Sequence, residues 1–205
     1  MKNTLLTDLL DVKYPIIMAP MFLVNNTKMM IEAINSGIAA CIPALNYRTD
    51  EDFRIAINEI RANTTARSLG INLIVNKSNL KLKQQLATCI DLDVDFIITS
   101  LGSPKDVIAA CKAKNIKVFC DVVEESYAKK VEKLGADAVI AVNKNAGGHA
   151  GSLTSEQLYN RISKVCSIPI ISAGGVGTKE GVDMKLAEGF SGISIGSPFI
   201  AGEEA

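Results

Sequence analysis

Ala138-Val139-Ile140-Ala141-Val142-Asn143-Lys144-Asn145-Ala146-Gly147-Gly148-His149-Ala150-Gly151 joins a short apolar run to a polar, glycine-rich loop. The run has the length and β-branching of a buried strand. The loop carries the only histidine of the chain. Gly147 and Gly148 have no Cβ, so the backbone there can approach a flat or bulky group closely. An imidazole beside them can donate, accept or move a proton near neutral pH. In isolation the stretch reads more readily as a glycine turn with a surface histidine. Its meaning depends on what the rest of the chain builds around it.

The same strand-then-loop unit recurs along the whole sequence. Apolar runs at 15–19, 38–42, 69–75, 96–101, 118–122, 138–142, 169–172 and 192–195 alternate with helix-like segments. Gly37 and Gly135 stand where helices end, in the position that favours a left-handed residue. Thr49 precedes a helix that carries Phe53, Ile57 and Ile60 on one face. Leu82, Leu86 and Ile90 recur every fourth residue. Ser103-Pro104 opens a helix with serine at the cap and proline in the first turn. Thr154-x-x-Gln157 is a capping box whose helix is expected to run to about residue 166.

None of the apolar runs alternates with polar residues, so each reads as a strand covered on both faces, in a parallel sheet. Eight such units predict a closed (β/α)8 TIM barrel, a fold of about 250 residues, at about 25 residues per unit. An open doubly wound sheet would need more polar edge strands, and none stands out. No linker or shift in composition divides residues 1–205, which predicts one domain. Residues 196–205 are too short for a helix after the eighth strand. The barrel is therefore expected to lack its last helix, with the groove between first and last helices uncovered or filled by a partner, a homo-oligomer included.

Composition narrows the function. Lys plus Arg and Asp plus Glu number 22 each, so no basic excess points to nucleic acid. The apolar runs are too short to span a membrane. Residues 1–13 read as an amphipathic lead-in that Asp8 and Asp11 interrupt, unlike a secretory signal. Five cysteines (Cys41, Cys89, Cys111, Cys120, Cys166) lack CxxC or His-paired spacing. They read as reduced, buried thiols of a cytoplasmic protein, with no metal site.

In a barrel of this kind the working face is the C-terminal end of the strands. Ala19-Pro20-Met21 follows the first strand. Asn72 lies in the third, Asp121 ends the fifth and the GGH loop follows the sixth. Ala173-Gly174-Gly175-Val176-Gly177 follows the seventh strand and Gly196-Ser197 the eighth. These last two loops present bare backbone N–H groups beside a helix N-terminus, which favours a phosphate. No lysine or arginine lies among them, so the expected ligand is a cofactor phosphate held by amides and a hydroxyl. The Walker and GxGxxG patterns are absent. Asn72, buried in an apolar strand, needs hydrogen-bond partners; it either ties neighbouring strands or reaches a heterocyclic ligand. Asp121 is a barrel-mouth acid, or it orients backbone or caps the next helix. Met18 suits the core. Met21 suits either the core or the face of a flat ring.

Together these segments resemble the nitronate monooxygenase family, the former 2-nitropropane dioxygenases. The resemblance runs through 15–21, Gly70-Ile71-Asn72-Leu73, 135–140, Ala146-Gly147-Gly148-His149-Ala150-Gly151, 168–176 and Gly196-Ser197-Pro198-Phe199. It implies an FMN-binding TIM barrel. Ala19, Pro20 and Met21 would lie along the flavin, with Asn72 bonded to its edge or ribityl chain. Gly147 and Gly148 would approach the cofactor. Ala173, Gly174, Gly175, Gly196 and Ser197 would hold its phosphate, and His149 would face the substrate. The implied reaction is the oxidation of alkyl nitronates or nitroalkanes by O2.

The same loops are similar to those of flavin-dependent enoyl-acyl-carrier-protein reductases, which use a nicotinamide donor. In those enzymes the histidine is often followed by Gly-x-Leu-Thr, as in Gly151-Ser152-Leu153-Thr154. The chain departs from both groups at Asn143-Lys144-Asn145, where they commonly carry Gly-x-Glu. Both groups also continue past the eighth strand. Two rivals remain: a shortened flavin-binding or assembly module without activity, and a non-flavin barrel that binds a phosphorylated sugar or nucleotide.

Overall fold

The computed structural model describes residues 5–205. Residues 1–4 of the expected lead-in lie outside the described residues. Eight parallel strands close into a barrel in chain order: β1 (Ile16–Met18), β2 (Ala39–Pro43), β3 (Leu69–Ile74), β4 (Phe96–Ser100), β5 (Lys117–Val122), β6 (Ala138–Val142), β7 (Ile170–Ala173) and β8 (Gly192–Ile195). The barrel shuts where Ile17 of β1 pairs with Ser194 of β8. Helix α1 (Leu5–Leu10) precedes β1. Helices α2 (Thr27–Asn35), α3 (Asp50–Ala62), α4 (Leu82–Asp91), α5 (Lys105–Lys112), α6 (Glu125–Leu134), α7 (Ser155–Ile162) and α8 (Lys179–Ala187) follow β1 to β7. The (β/α)8 barrel read from the sequence is the observed fold.

Two apolar layers explain why it closes. Outside, helix side chains such as Met30, Ile34, Phe53, Ile57 and Val131 pack on the outward residues of the strands. Inside, Ile17, Cys41, Phe96, Ile98, Phe119, Ile140 and Ile171 form a separate core. Side chains alternate across a strand, so each strand serves both layers and reads as continuously apolar. The interior holds a stacked pair, Phe96 and Phe119, with ring centroids 5.3 Å apart. It fits because β3 has Gly70 opposite: a Cβ there would lie 2.2 Å from the Phe96 ring. Leu6 and Leu10 of α1 join this inner core and seal the N-terminal end of the barrel. Gly192 makes room for them, since a Cβ on it would lie 2.1 Å from Leu6.

Local signals behave as their chemistry requires, with three exceptions. Gly37 and Gly135 adopt φ of 92° and 98° at the ends of α2 and α6. Thr49 caps α3, and the Thr154–Gln157 capping box is complete. The exceptions are local. Ser103 does not cap α5; Pro104 holds that position, with no side-chain cap bond. α7 ends at Ile162, four residues before the expected stop. On α4 the fully buried positions are Gln85, Thr88 and Cys89, while Leu82, Leu86 and Ile90 flank them. Gln85 and Thr88 are buried because each has a polar partner: Asn79 donates to Gln85 and Thr88 donates to Asp50.

After β8 the described chain forms a 3-10 helix, Ser197–Ala201, with no further α-helix. Phe199 packs with Ile195 and Val182 over the outer face of β8. The residues beyond it reach α2, where Asn26 Nδ2 donates to the Glu204 carbonyl at 2.9 Å. The groove between α8 and α2 is thus partly covered by the chain itself. No described helix is long and apolar enough to cross a membrane.

Candidate active site at the barrel mouth

The loop after β6 is anchored at its base and open at its tip. Lys144 N–H donates to the Leu153 carbonyl at 2.9 Å, closing the loop. Gly151 lies flush against β6; a Cβ there would sit 2.7 Å from the Val142 carbonyl oxygen. At the tip, Gly147 and Gly148 have nothing within 4 Å of where a Cβ would be. His149 stands exposed beside them.

Asn143, fully buried at the end of β6, ties this loop to the next one. Its Nδ2 donates to the Gly174 carbonyl at 3.0 Å, and its Oδ1 accepts from Asn145 N–H at 2.8 Å. Gly174 and Gly175 take φ of 108° and 77°, a region that strains other residues. A Cβ on Gly174 would lie 2.5 Å from the Ala146 nitrogen, and one on Gly175 would lie 3.0 Å from the Asn145 side chain. Gly196 faces the β1 loop, with Met21 Sδ and Ala19 Cβ within 3.7 Å of its missing Cβ. The β1 loop is itself fixed by Asn25, whose Oδ1 accepts from Met21 N–H. The loops after β6, β7, β8 and β1 therefore form a continuous arc with little side-chain bulk.

Opposite the arc lies a chain of side chains. Asn72 Nδ2 donates to the Ile98 carbonyl at 3.1 Å and to Ser100 Oγ at 2.9 Å. Ser100 Oγ donates in turn to Asp121 Oδ2 at 2.6 Å. The three residues follow the inward parity of Gly70, Phe96 with Ile98, and Phe119 on β3, β4 and β5. Burial pushes the Asp121 carboxyl up to about 6, against the opposing pull of the Ser100 hydroxyl. Cys120 and Cys41 are buried; desolvation lifts Cys120 to about 12 and Cys41 well above its ordinary value. Neither is a thiolate nucleophile at neutral pH.

The structure brings Ala19, Met21 and Gly196 together, and sets Ala173, Gly174 and Gly175 against the start of the β6 loop. Ser197 opens the 3-10 helix next to Gly196, and Pro20 lies in the β1 loop. Asn72 stands on the far side of the mouth. It ties β3 to β4 through its amide nitrogen, while its Oδ1 has no partner among the described residues. Asp121 does not cap a helix, since Glu124 occupies the cap of α6. Sequence reasoning named Asn143, as part of the departure at 143–145, and Ser100, in the loop after the fourth strand, but gave neither a role in the site. Both stand at the end of an apolar strand, as Asp121 does, and that shared position was the available signal.

The sequence pattern of the family described as nitronate monooxygenase matches residues 79–205. The chain belongs to this family. A probable nitronate monooxygenase of Staphylococcus aureus is 26% identical over 244 aligned positions, covering 98% of this chain and 68% of that protein. A 5-hydroxy-7a-methyl-1-oxo-octahydro-1H-indene-4-carboxyl-CoA dehydrogenase of Rhodococcus jostii is 27% identical, covering 99% of this chain and 56% of its own length. Among solved structures, FabK from Thermotoga maritima superposes with a TM-score of 0.92 at 31% identity, over 100% of this chain and 64% of that one. The chain thus spans between about half and two thirds of the length of these relatives.

Proposed function

We propose that this nitronate monooxygenase family barrel binds FMN and serves an oxidoreductase that oxidises alkyl nitronates or nitroalkanes with O2. The observation that carries the reading is the mouth itself: an arc of bare backbone stands across from an inward amide whose oxygen has no partner among the described residues, with one histidine on the open loop after β6. These residues fit the cofactor. Gly174, Gly175, Gly196 and Ser197 supply N–H groups and a hydroxyl without a cation, which suits a phosphate monoester. Ala19, Pro20 and Met21 supply an apolar surface for a ring. Gly147 and Gly148 leave the tip of their loop open, and the free Oδ1 of Asn72 would accept from a cofactor donor.

Bound FMN supplies the redox chemistry. The protein's own part is to hold, orient and move a proton. A nitroalkane must lose an α-proton before it gives up electrons. The neutral His149 imidazole takes that proton; once protonated it attracts the anionic nitronate. The visible spectrum of the purified protein is the first test. Flavin absorbance and O2 uptake with propyl nitronate support the reading. A colourless protein that takes up no added FMN overturns it in favour of an assembly module or a phosphosugar barrel.

A second reading has its own support: Gly151-Ser152-Leu153-Thr154 after the histidine and a relative named for a carboxyl-CoA substrate. In it the substrate is an enoyl thioester and a nicotinamide is the donor. NADH oxidation dependent on an enoyl thioester, with no nitronate-dependent O2 uptake, selects it over the first.

A further inference from the structure

Asp121 is the carboxylate that the mechanism above leaves unused, and it is not idle structurally. It ends a one-way hydrogen-bond chain. A carboxylate only accepts, so Ser100 must point its proton at Asp121. Ser100 Oγ is then left as an acceptor, and Asn72 must point its NH2 at it. The Ile98 carbonyl demands the same orientation of the second amide proton. The amide oxygen of Asn72 is thereby turned away from all three partners and left without a partner among the described residues.

We propose that Asp121 is a positioning residue: acting through Ser100, its carboxylate locks Asn72 with the amide oxygen presented to the cofactor, and so makes FMN affinity depend on pH. The proposal rests on the flavin reading. When Asp121 is protonated it can donate, and Ser100 is released to rotate its proton toward Asn72. The chain loses its charge-assisted end and its fixed direction.

The groups facing Asp121 do not mask this switch. Cys120 beside it and Cys41 on β2 are thiols held neutral. Tyr127 on α6 is raised by burial and donates its hydroxyl proton to the Gly102 carbonyl. β6 presents the apolar Ile140 as its register partner. No ion pair to Asp121 forms among the described residues. Its desolvated carboxyl, at about 6, places the transition between pH 5 and 7.

Two measurements test the proposal on the purified chain. FMN titrations followed by fluorescence quenching are made from pH 5 to 8 on the wild type, Asp121→Asn and Ser100→Ala. The wild type is expected to bind about five- to tenfold more weakly at pH 5 than at pH 8, as for loss of one oriented hydrogen bond. Asp121→Asn is expected to bind weakly at every pH, keeping only the dependence that FMN's own phosphate brings through its second ionisation near pH 6, and Ser100→Ala likewise. The second readout needs no flavin: the side-chain amide resonances of Asn72 should titrate with a midpoint near 6 in the wild type and stay still in Asp121→Asn. FMN binding with the same pH profile in Asp121→Asn as in the wild type overturns the proposal and leaves the flavin reading standing. No FMN binding by the wild type at any pH overturns the flavin reading and the affinity claim with it, while the Asn72 titration still decides whether the relay exists.

Discussion

The two sides of the barrel mouth hold their ground by opposite means. From β6 round to β1 the lining is backbone, with glycines at 174, 175 and 196 where a Cβ would strike a neighbour or close the approach. From β3 to β5 it is side chain: an amide, a hydroxyl and a carboxylate in one line. Backbone N–H groups have no proton to lose in the working range, so the first side is insensitive to pH but intolerant of bulk. The second side is not closed to bulk in this way but depends on the charge and direction of its hydrogen bonds. A site built this way separates holding a phosphate from tuning what lies above it.

His149 belongs to neither side, and removing it should give the largest effect. We predict that His149→Ala lowers nitroalkane turnover by roughly 10²–10⁴-fold, the usual worth of a general base. FMN occupancy should be unchanged in the absorbance spectrum, because the imidazole makes no bond to the arc. Steady-state rates equal to the wild type would remove the histidine from the chemistry.

Bulk is the way to break the backbone side. Gly174→Val forces a β-branched residue to φ of 108° and drives its Cβ to 2.5 Å from the Ala146 nitrogen and 2.7 Å from Asn143 Oδ1. Strain of this kind costs roughly 1–3 kcal/mol before any clash is counted. The barrel should remain folded by circular dichroism, with a lower melting temperature, while FMN binding is lost from titrations up to a hundredfold above the wild-type Kd. Retained affinity would mean that the phosphate lies elsewhere.

The contrast between the sides also explains what was legible in the sequence. Eight apolar runs with capped helices between them leave little choice but a closed parallel barrel, and glycine clusters announce a backbone site because glycine has few other reasons to cluster. Asn72 was visible as a polar residue in an apolar strand. Its partnership with Ser100 was not, because the relay exists only once β3, β4 and β5 are in register and their inward faces coincide. Nor did the sequence reveal the role of Asn143. The departure from the usual Gly-x-Glu was evident, but not that its amide would bridge two loops. Gln85 and Thr88 misled for the related reason that α4 buries polar groups whose partners come from other segments.

Asn143→Ala tests whether the arc needs that bridge. The substitution deprives the Gly174 carbonyl and the Asn145 N–H of their partner at a buried position, which costs about 1–3 kcal/mol. Urea denaturation should show the loss. FMN affinity should fall less than in Gly174→Val, since the glycine backbone itself is intact.

The smallest effect has the opposite sign, and it is where the charge-sensitive side is sharpest. Asp121 titrates at about 6 in the folded chain, above the ordinary 3.8 expected when unfolded. Between those values the native state keeps a proton that the unfolded state has lost, so stability falls as pH rises through that window. The cost is fully present above pH 6 and absent below pH 4. Asp121→Asn removes it and leaves a neutral amide that can donate as well as accept toward Ser100, so the fold keeps a bond there while the chain loses its fixed direction. The rise from 3.8 to about 6 sets an upper bound of about 3 kcal/mol, and the half-buried position of Asp121 with a weaker bond to Ser100 reduces the expected gain to about 1 kcal/mol. Urea midpoints should therefore be higher in the variant than in the wild type at pH 7.5 and equal or lower at pH 4. A lower midpoint at pH 7.5 would mean that the carboxylate stabilises the fold. The outcome expected here is a variant that folds better and binds FMN less well, which is the pattern of a charge retained for its function at the expense of stability.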